Sequence, residues 1–144
     1  MSNIAIRRAV EADLGLMRRL WDEFSAEATY TPYPPGAFDP AHVRDHVALV
    51  AEEGGEAIGT VYANLSSPDF GYVFGVYTVP GARGRGVGRE LIRAVARLLR
   101  EQGRDWIVLS VDTPNEDARA FYERLGFDDS ARMLRAPVDR LLGD

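Results

Sequence analysis

The chain has 144 residues, 46% of them hydrophobic, the size of one ordinary domain with enough apolar surface to bury a core unaided. Seventeen basic against 22 acidic residues give a net charge of -5, which speaks against a sequence-independent nucleic-acid binder, because such a protein presents a basic face. There is no cysteine and every basic residue is arginine, so disulfides, thiolate nucleophiles, Cys-ligated zinc, Schiff bases and a P-loop lysine are excluded. The first ten residues carry no apolar core of a signal segment, and no run approaches the ~18 apolar residues of a membrane span. A cytoplasmic protein without a membrane partner is expected.

Ile4–Arg8 alternates apolar and polar residues, as a half-buried strand does. From Glu11 to Ala28 the residues Leu14, Met17, Leu20, Trp21 and Phe24 recur at spacings of three and four, which predicts a helix with one apolar face. The prolines of Tyr30–Phe38 forbid regular structure. Asp39-Pro40 reads as an N-cap and first helical position, so a short helix is expected to about His46. Val47–Glu52 and Ala57–Leu65 flank Glu53-Gly54-Gly55-Glu56 and predict an antiparallel hairpin. A turn at Ser66–Asp69 leads to a β-prone run, Tyr72–Val79, interrupted by Gly75, a residue that often marks a bulge. A long amphipathic helix begins near Gly86, buries Leu91, Ile92, Val95, Leu98 and Leu99, and closes at Gly103. Trp106–Val111 predicts a strand, Glu116–Leu125 a helix and Ser130–Arg135 a last strand. No repeat or linker divides the chain. The order predicts an α/β fold with an antiparallel N-terminal part and a parallel, right-handed β-α-β crossover.

Arg83-Gly84-Arg85-Gly86-Val87-Gly88 lies between a strand and a helix start. The amides of a helix's first turn lack internal partners and sit at the positive dipole end, and glycines let a phosphate approach them. Strand, glycines and helix together make an anion site. A plain tight turn is the alternative, although three glycines in five residues exceed what one turn needs. The missing lysine excludes a Walker loop. In the dinucleotide pattern Gly-x-Gly-x-x-Gly, Arg89 stands where the third glycine belongs, so a nicotinamide oxidoreductase fits poorly.

At these residues the sequence resembles the GNAT-type N-acetyltransferase superfamily. The signature Gln/Arg-x-x-Gly-x-Gly/Ala is matched by Arg83, Gly86 and Gly88, and Val76-Tyr77-Thr78-Val79-Pro80 looks like the strand that feeds it. A second stretch, Asn115 to Phe127, resembles the family's later signature of Asn, Ala, Phe-Tyr and Gly-Phe. The resemblance implies a single GNAT-like domain over 1–144, a mixed sheet of about six to seven strands with helices on both faces. It implies acetyl-CoA as cosubstrate, its pyrophosphate held by the backbone of Gly84, Arg85, Gly86, Val87, Gly88 and Arg89. Arg83 opens the signature and is expected to position the loop more than touch phosphate. The pantetheine arm would lie along the strand edge at Val76, Tyr77 and Thr78 as an added strand does. Gly75 would sit near the bulge that opens this edge, and Trp106–Val111 would splay away to leave a cleft.

Two residues of the second signature receive roles by resemblance. Asn115 would bond the pantetheine arm, and it is equally a good N-cap for the helix at Glu116. Tyr122 would give a proton to the leaving thiolate; its alternative is a core aromatic beside Phe121. The base is open. The strand carries no acid where many relatives have one, and Glu23, Glu27, Asp112 or ordered water are the candidates. Arg89, Arg93 and Arg97 form a basic stripe that meets CoA phosphates or is a solvated face. His42 and His46 lack a third ligand, so no metal is expected. Tyr30, Tyr33 and Phe38 either wall an acceptor pocket or pack over the core. The expected reaction is direct attack of a small-molecule or peptide amine in a ternary complex, with a non-catalytic acyl-CoA sensor as the rival reading. A homodimer is expected by family analogy alone.

Overall fold

The computed structural model describes residues 3–28, 35–112, 114–129, 131 and 134–143. It divides into two compact units, Met1–Leu109 and Ser110–Asp144. The first holds a five-stranded sheet in sequential order: β1 (Ile4–Arg8), β2 (Val47–Glu53), β3 (Glu56–Asn64), β4 (Phe70–Thr78) and β5 (Trp106–Val108). The first four pair antiparallel, and β4 pairs parallel to β5. The mixed α/β sheet is therefore as expected, with five strands among the described residues against the six to seven expected. The last expected strand, Ser130–Arg135, falls partly on 130, 132 and 133, outside the described residues.

Helix α1 (Leu14–Glu27) is preceded by a 3-10 turn at Glu11–Asp13, which takes over the first turn of the expected helix. Helix α2 is shorter than expected, Ala41–Arg44, and Asp39 Oδ1 accepts the Ala41 amide at 2.9 Å, the capping role its position predicts. Helix α3 runs Val87–Glu101. Its apolar stripe, Val87, Leu91, Val95 and Leu99, is buried. Side chains alternate across β3, which is why the sheet is covered twice. A Cβ on Gly59 would meet Val87 and Leu91 of α3, whereas the Tyr62 ring lies 5.3 Å from Trp21 of α1. Met17, Trp21, Val43, Val50 and Tyr62 form the core on the α1 and α2 face.

Arg7 on β1 donates to Asp13 at 2.8 Å and to Glu52 on β2, joining the strand to the entry of α1. The paired guanidinium holds the Asp13 carboxyl down to about 2.

The second unit contains α4 (Glu116–Leu125) and α5 (Val138–Leu142), the latter without a counterpart in the sequence reading. Among the described residues no helix is long and apolar enough to cross a membrane.

Candidate functional site

The site in the first unit is built where β4 ends. β3 and β4 lose register between Thr60–Tyr77 and Tyr62–Phe74: two steps on β3 oppose three on β4. This is a bulge, and Gly75 occupies it with φ +62. A Cβ at Gly75 would stand 2.7 Å from the Tyr62 ring and 2.9 Å from Trp21. Only glycine satisfies both the left-handed backbone and the packing there. Because of the extra residue, Phe74 and Tyr77, three apart, both reach α1 side chains.

β5 pairs with β4 only at Phe70, Gly71 and Tyr72, and it stops at Val108, three residues before the expected end. The stretch from Val73 to Thr78 has no β5 partner. The Val79 amide donates to Ile58 O at 3.0 Å, so Val79 and Tyr77 face β3. By alternation Val76 and Thr78 turn their N–H and C=O groups to the open edge.

After Thr78 a 3-10 turn at Pro80–Ala82 and an extended Arg83 carry the chain to Gly84 and Gly86, both left-handed with φ +77 and +84. Gly86 is the residue before the first turn of α3. Nothing lies within 4 Å of a Cβ built on either glycine, in contrast to Gly75. These two glycines therefore answer to backbone shape and open space, not to packing. Among the described residues the amides of 84–89 meet no backbone acceptor, and the first ladder bond is Glu90 N–H to Gly86 O at 3.0 Å. Six successive donors at a helix N-terminus make an anion cradle.

Two of the loop's arginines are already engaged. Arg83 donates Nε to Thr78 O at 2.9 Å and a terminal nitrogen to both oxygens of Glu27 at 2.7 Å, with its guanidinium 5.7 Å from the Tyr77 ring centre. Arg85 pairs with Glu53 at the end of β2 and holds that carboxyl below its ordinary range. Arg89 is exposed and has no ion pair among the described residues. The sequence gives no sign of the Glu27 and Glu53 partners, which lie 56 and 32 residues away.

Tyr77 donates its hydroxyl to Glu23 at 3.1 Å, and burial together with that carboxylate pushes the phenol up to about 12. Glu23 and Glu27, both on α1, thus differ: Glu27 is held by Arg83, and Glu23 by a neutral phenol.

In the second unit Asn115 Oδ1 accepts the Ala118 amide at 3.2 Å, so it caps α4. The Tyr122 ring is half-buried, 5.0 Å from Phe121 and 5.6 Å from Phe127. Asp112 accepts the Asn115 amide through its backbone oxygen at 2.9 Å.

The histidines do not share a helix, since α2 ends at Arg44. His46 Nδ1 accepts the Leu65 amide at 3.2 Å. His42 lies 4.8 Å from Phe74, and burial pulls its imidazole below the ordinary value. Among the described residues no cluster of His, Asp and Glu could hold a metal. Phe38 is buried in the core, which decides its role; Tyr30 and Tyr33 lie outside the described residues.

A family model described as Acetyltransferase (GNAT) family matches residues 14–127. The chain belongs to this family. The chain is 37% identical over 91 residues to a mycothiol acetyltransferase of Streptomyces avermitilis, a match that covers 62% of the chain and 28% of that protein. The chain thus corresponds to under a third of that relative's length. It is 29% identical over 133 residues to the N-acetyltransferase YhfO of Bacillus subtilis, covering 86% of this chain and 89% of the other. In fold it is similar to the aminoglycoside acetyltransferase AAC(6')-Iy, solved with a CoA bisubstrate analogue, at a TM-score of 0.75 and 24% identity over 94% of this chain and 98% of that one.

Proposed function

We propose that this acetyltransferase moves the acetyl group of acetyl-CoA to a small-molecule amine by direct attack in a ternary complex. The observation that carries the reading is the run of unpartnered amides at 84–89, set beside the open edge of β4. The amides of Gly84, Arg85, Gly86, Val87, Gly88 and Arg89 take the pyrophosphate, and Arg89 adds the one loop guanidinium that is free of an ion pair among the described residues. Val76 and Thr78 pair with the pantetheine arm as a strand would, and Tyr77 sits between them. The Thr78 carbonyl shares this duty with Arg83 Nε. Arg83 fixes the loop through Glu27 and Thr78, a positioning role.

The acceptor amine attacks as the neutral base, so a C–N bond forms and the C–S bond breaks. Glu23 takes the amine's proton; of the two glutamates on α1 it is the one outside an ion pair, its partner being the Tyr77 hydroxyl. Tyr122 delivers a proton to the departing sulfur, the role its place in the Phe-Tyr signature implies. Asn115 caps α4 and assists the pantetheine arm. The names of relatives that act on mycothiol and aminoglycosides support a small-molecule amine over a peptide.

The test is release of CoA thiol across an amine panel with the chain and with Tyr122→Phe. The absence of cysteine gives this assay no protein background. Turnover lost in Tyr122→Phe with acetyl-CoA binding retained supports the reading. Acetyl-CoA binding without turnover for any amine points to a sensor.

A further inference from the structure

The far end of α3 carries a second feature that acetyl transfer does not use. Between the latter half of the helix and the start of β5 lies a groove of about 430 Å³, the scale of a small-molecule site. Arg93, Arg97 and Arg100 line it, spaced i, i+4 and i+7 on one face. Their Cα atoms are about 6 Å and about 10 Å apart along the axis. Arg97 and Arg100 lie about 16 Å and about 21 Å along the axis from Gly86, and Arg93 about 10 Å, so the stripe runs from mid-helix to the end away from the glycine loop.

All three guanidiniums are exposed and have no carboxylate partner among the described residues, in a chain whose net charge is -5. Arg100, in the last turn, also suits the helix's negative end, but that does not account for Arg93 and Arg97. Asp105 lines the groove as well and offsets part of this charge. Arg104 is already committed: its guanidinium donates to the Ser67 and Phe70 carbonyls and to Gln102.

The remaining wall is aromatic. Trp106 is 70% exposed, against 7% for Trp21, the other tryptophan. Leu99 and Ile107 supply apolar lining beside it. A tryptophan left this open beside three unpaired guanidiniums suits a ligand with a flat ring and several negative charges. The ring stacks on Trp106, and the charges fall on the arginine stripe. Two neighbouring arginines about 6 Å apart match the reach of a polyphosphate.

We propose that this groove is a second ligand site, distinct from the acetyl-CoA site, for a nucleoside polyphosphate.

The experiment titrates ATP into the full chain saturated with CoA, by calorimetry and by tryptophan fluorescence. One ATP is expected per chain, with quenching that disappears in Trp106→Phe. Arg97→Gln with Arg100→Gln is expected to weaken ATP by at least about tenfold, and Arg93→Gln serves as an independent variant. Adenosine and tripolyphosphate, tested separately, are each expected to bind at least about tenfold more weakly than ATP. Gly86→Ala, altered only at the loop, is expected to bind ATP as the parent does. Melting curves verify that each variant is folded. The proposal is overturned if millimolar ATP gives neither heat nor quenching, if the arginine and tryptophan variants bind unchanged, or if tripolyphosphate matches ATP, which marks a bare anion patch.

Discussion

Arg83 holds both oxygens of Glu27 at 2.7 Å while its Nε holds the Thr78 carbonyl, so one guanidinium ties α1, the end of β4 and the glycine loop together. Both partners are nearly half exposed, and an exposed pair of this kind contributes at most about 1 kcal/mol to folding. Its effect belongs on the cosubstrate instead. Glu27→Gln is expected to lower the melting temperature little and to raise the KM for acetyl-CoA several-fold, with kcat changed less. Steady-state kinetics beside a melting curve check this. A large stability loss with unchanged KM contradicts it.

Gly86→Ala probes the cradle itself. Open space surrounds the new methyl, so no packing is lost. A left-handed alanine costs roughly 1–2 kcal/mol, and its Cβ enters the space a phosphate would need. The expected result is a folded protein with a melting temperature a few degrees lower and acetyl-CoA binding weakened at least about tenfold by calorimetry.

Gly75→Ala is expected to fail for the opposite reason. The methyl meets Tyr62 and Trp21 as well as the φ of +62. Overpacking of about 1–3 kcal/mol adds to the backbone strain. Chemical denaturation is expected to show the larger loss of stability at Gly75 than at Gly86.

Asp13 sets an acid limb of stability. Its folded pKa, about 2, lies below the ordinary value because Arg7 pairs with it. The folded state therefore holds the proton less tightly than the unfolded chain. The stabilisation is present above the unfolded value of about 3.9 and is lost as pH falls towards about 2. Asp13→Asn is expected to be less stable than the parent at pH 6 and to close that gap between pH 4 and 2. A gap unchanged across that window counts against the Arg7 pairing.

Tyr122→Phe removes the proposed acid while keeping the ring against Phe121 and Phe127. A drop in kcat of about 10²-fold or more with the KM for acetyl-CoA nearly unchanged is expected. Equal kcat in the two proteins rules out the proton-donor role.

Much of the first unit was legible because its patterns are strong. The hairpin through Gly54-Gly55, the bulge glycine at 75 and the stripe of α3 are local signals, and each appears near its expected position. Boundaries moved where neighbours decide them. β5 stops at Val108 because only Phe70, Gly71 and Tyr72 pair with it. The ion pairs of Arg83 and Arg85 were not legible, since partners 56 and 32 residues away leave no trace in local spacing. Under the proposed mechanism the Arg83–Glu27 pair is the reason to prefer Glu23 to Glu27 as the base, where the sequence also left Asp112 and ordered water open. Asn115 was readable both ways, and the capping bond to Ala118 is present.

The most direct test is the melting temperature with and without acetyl-CoA, with NADH as the control ligand. At about 100 times its dissociation constant, acetyl-CoA is expected to stabilise by about 2.7 kcal/mol, a rise of several degrees, while NADH leaves the curve in place. The same melting temperature with and without millimolar acetyl-CoA contradicts the account, because it leaves the six open amides as a turn and not a cradle.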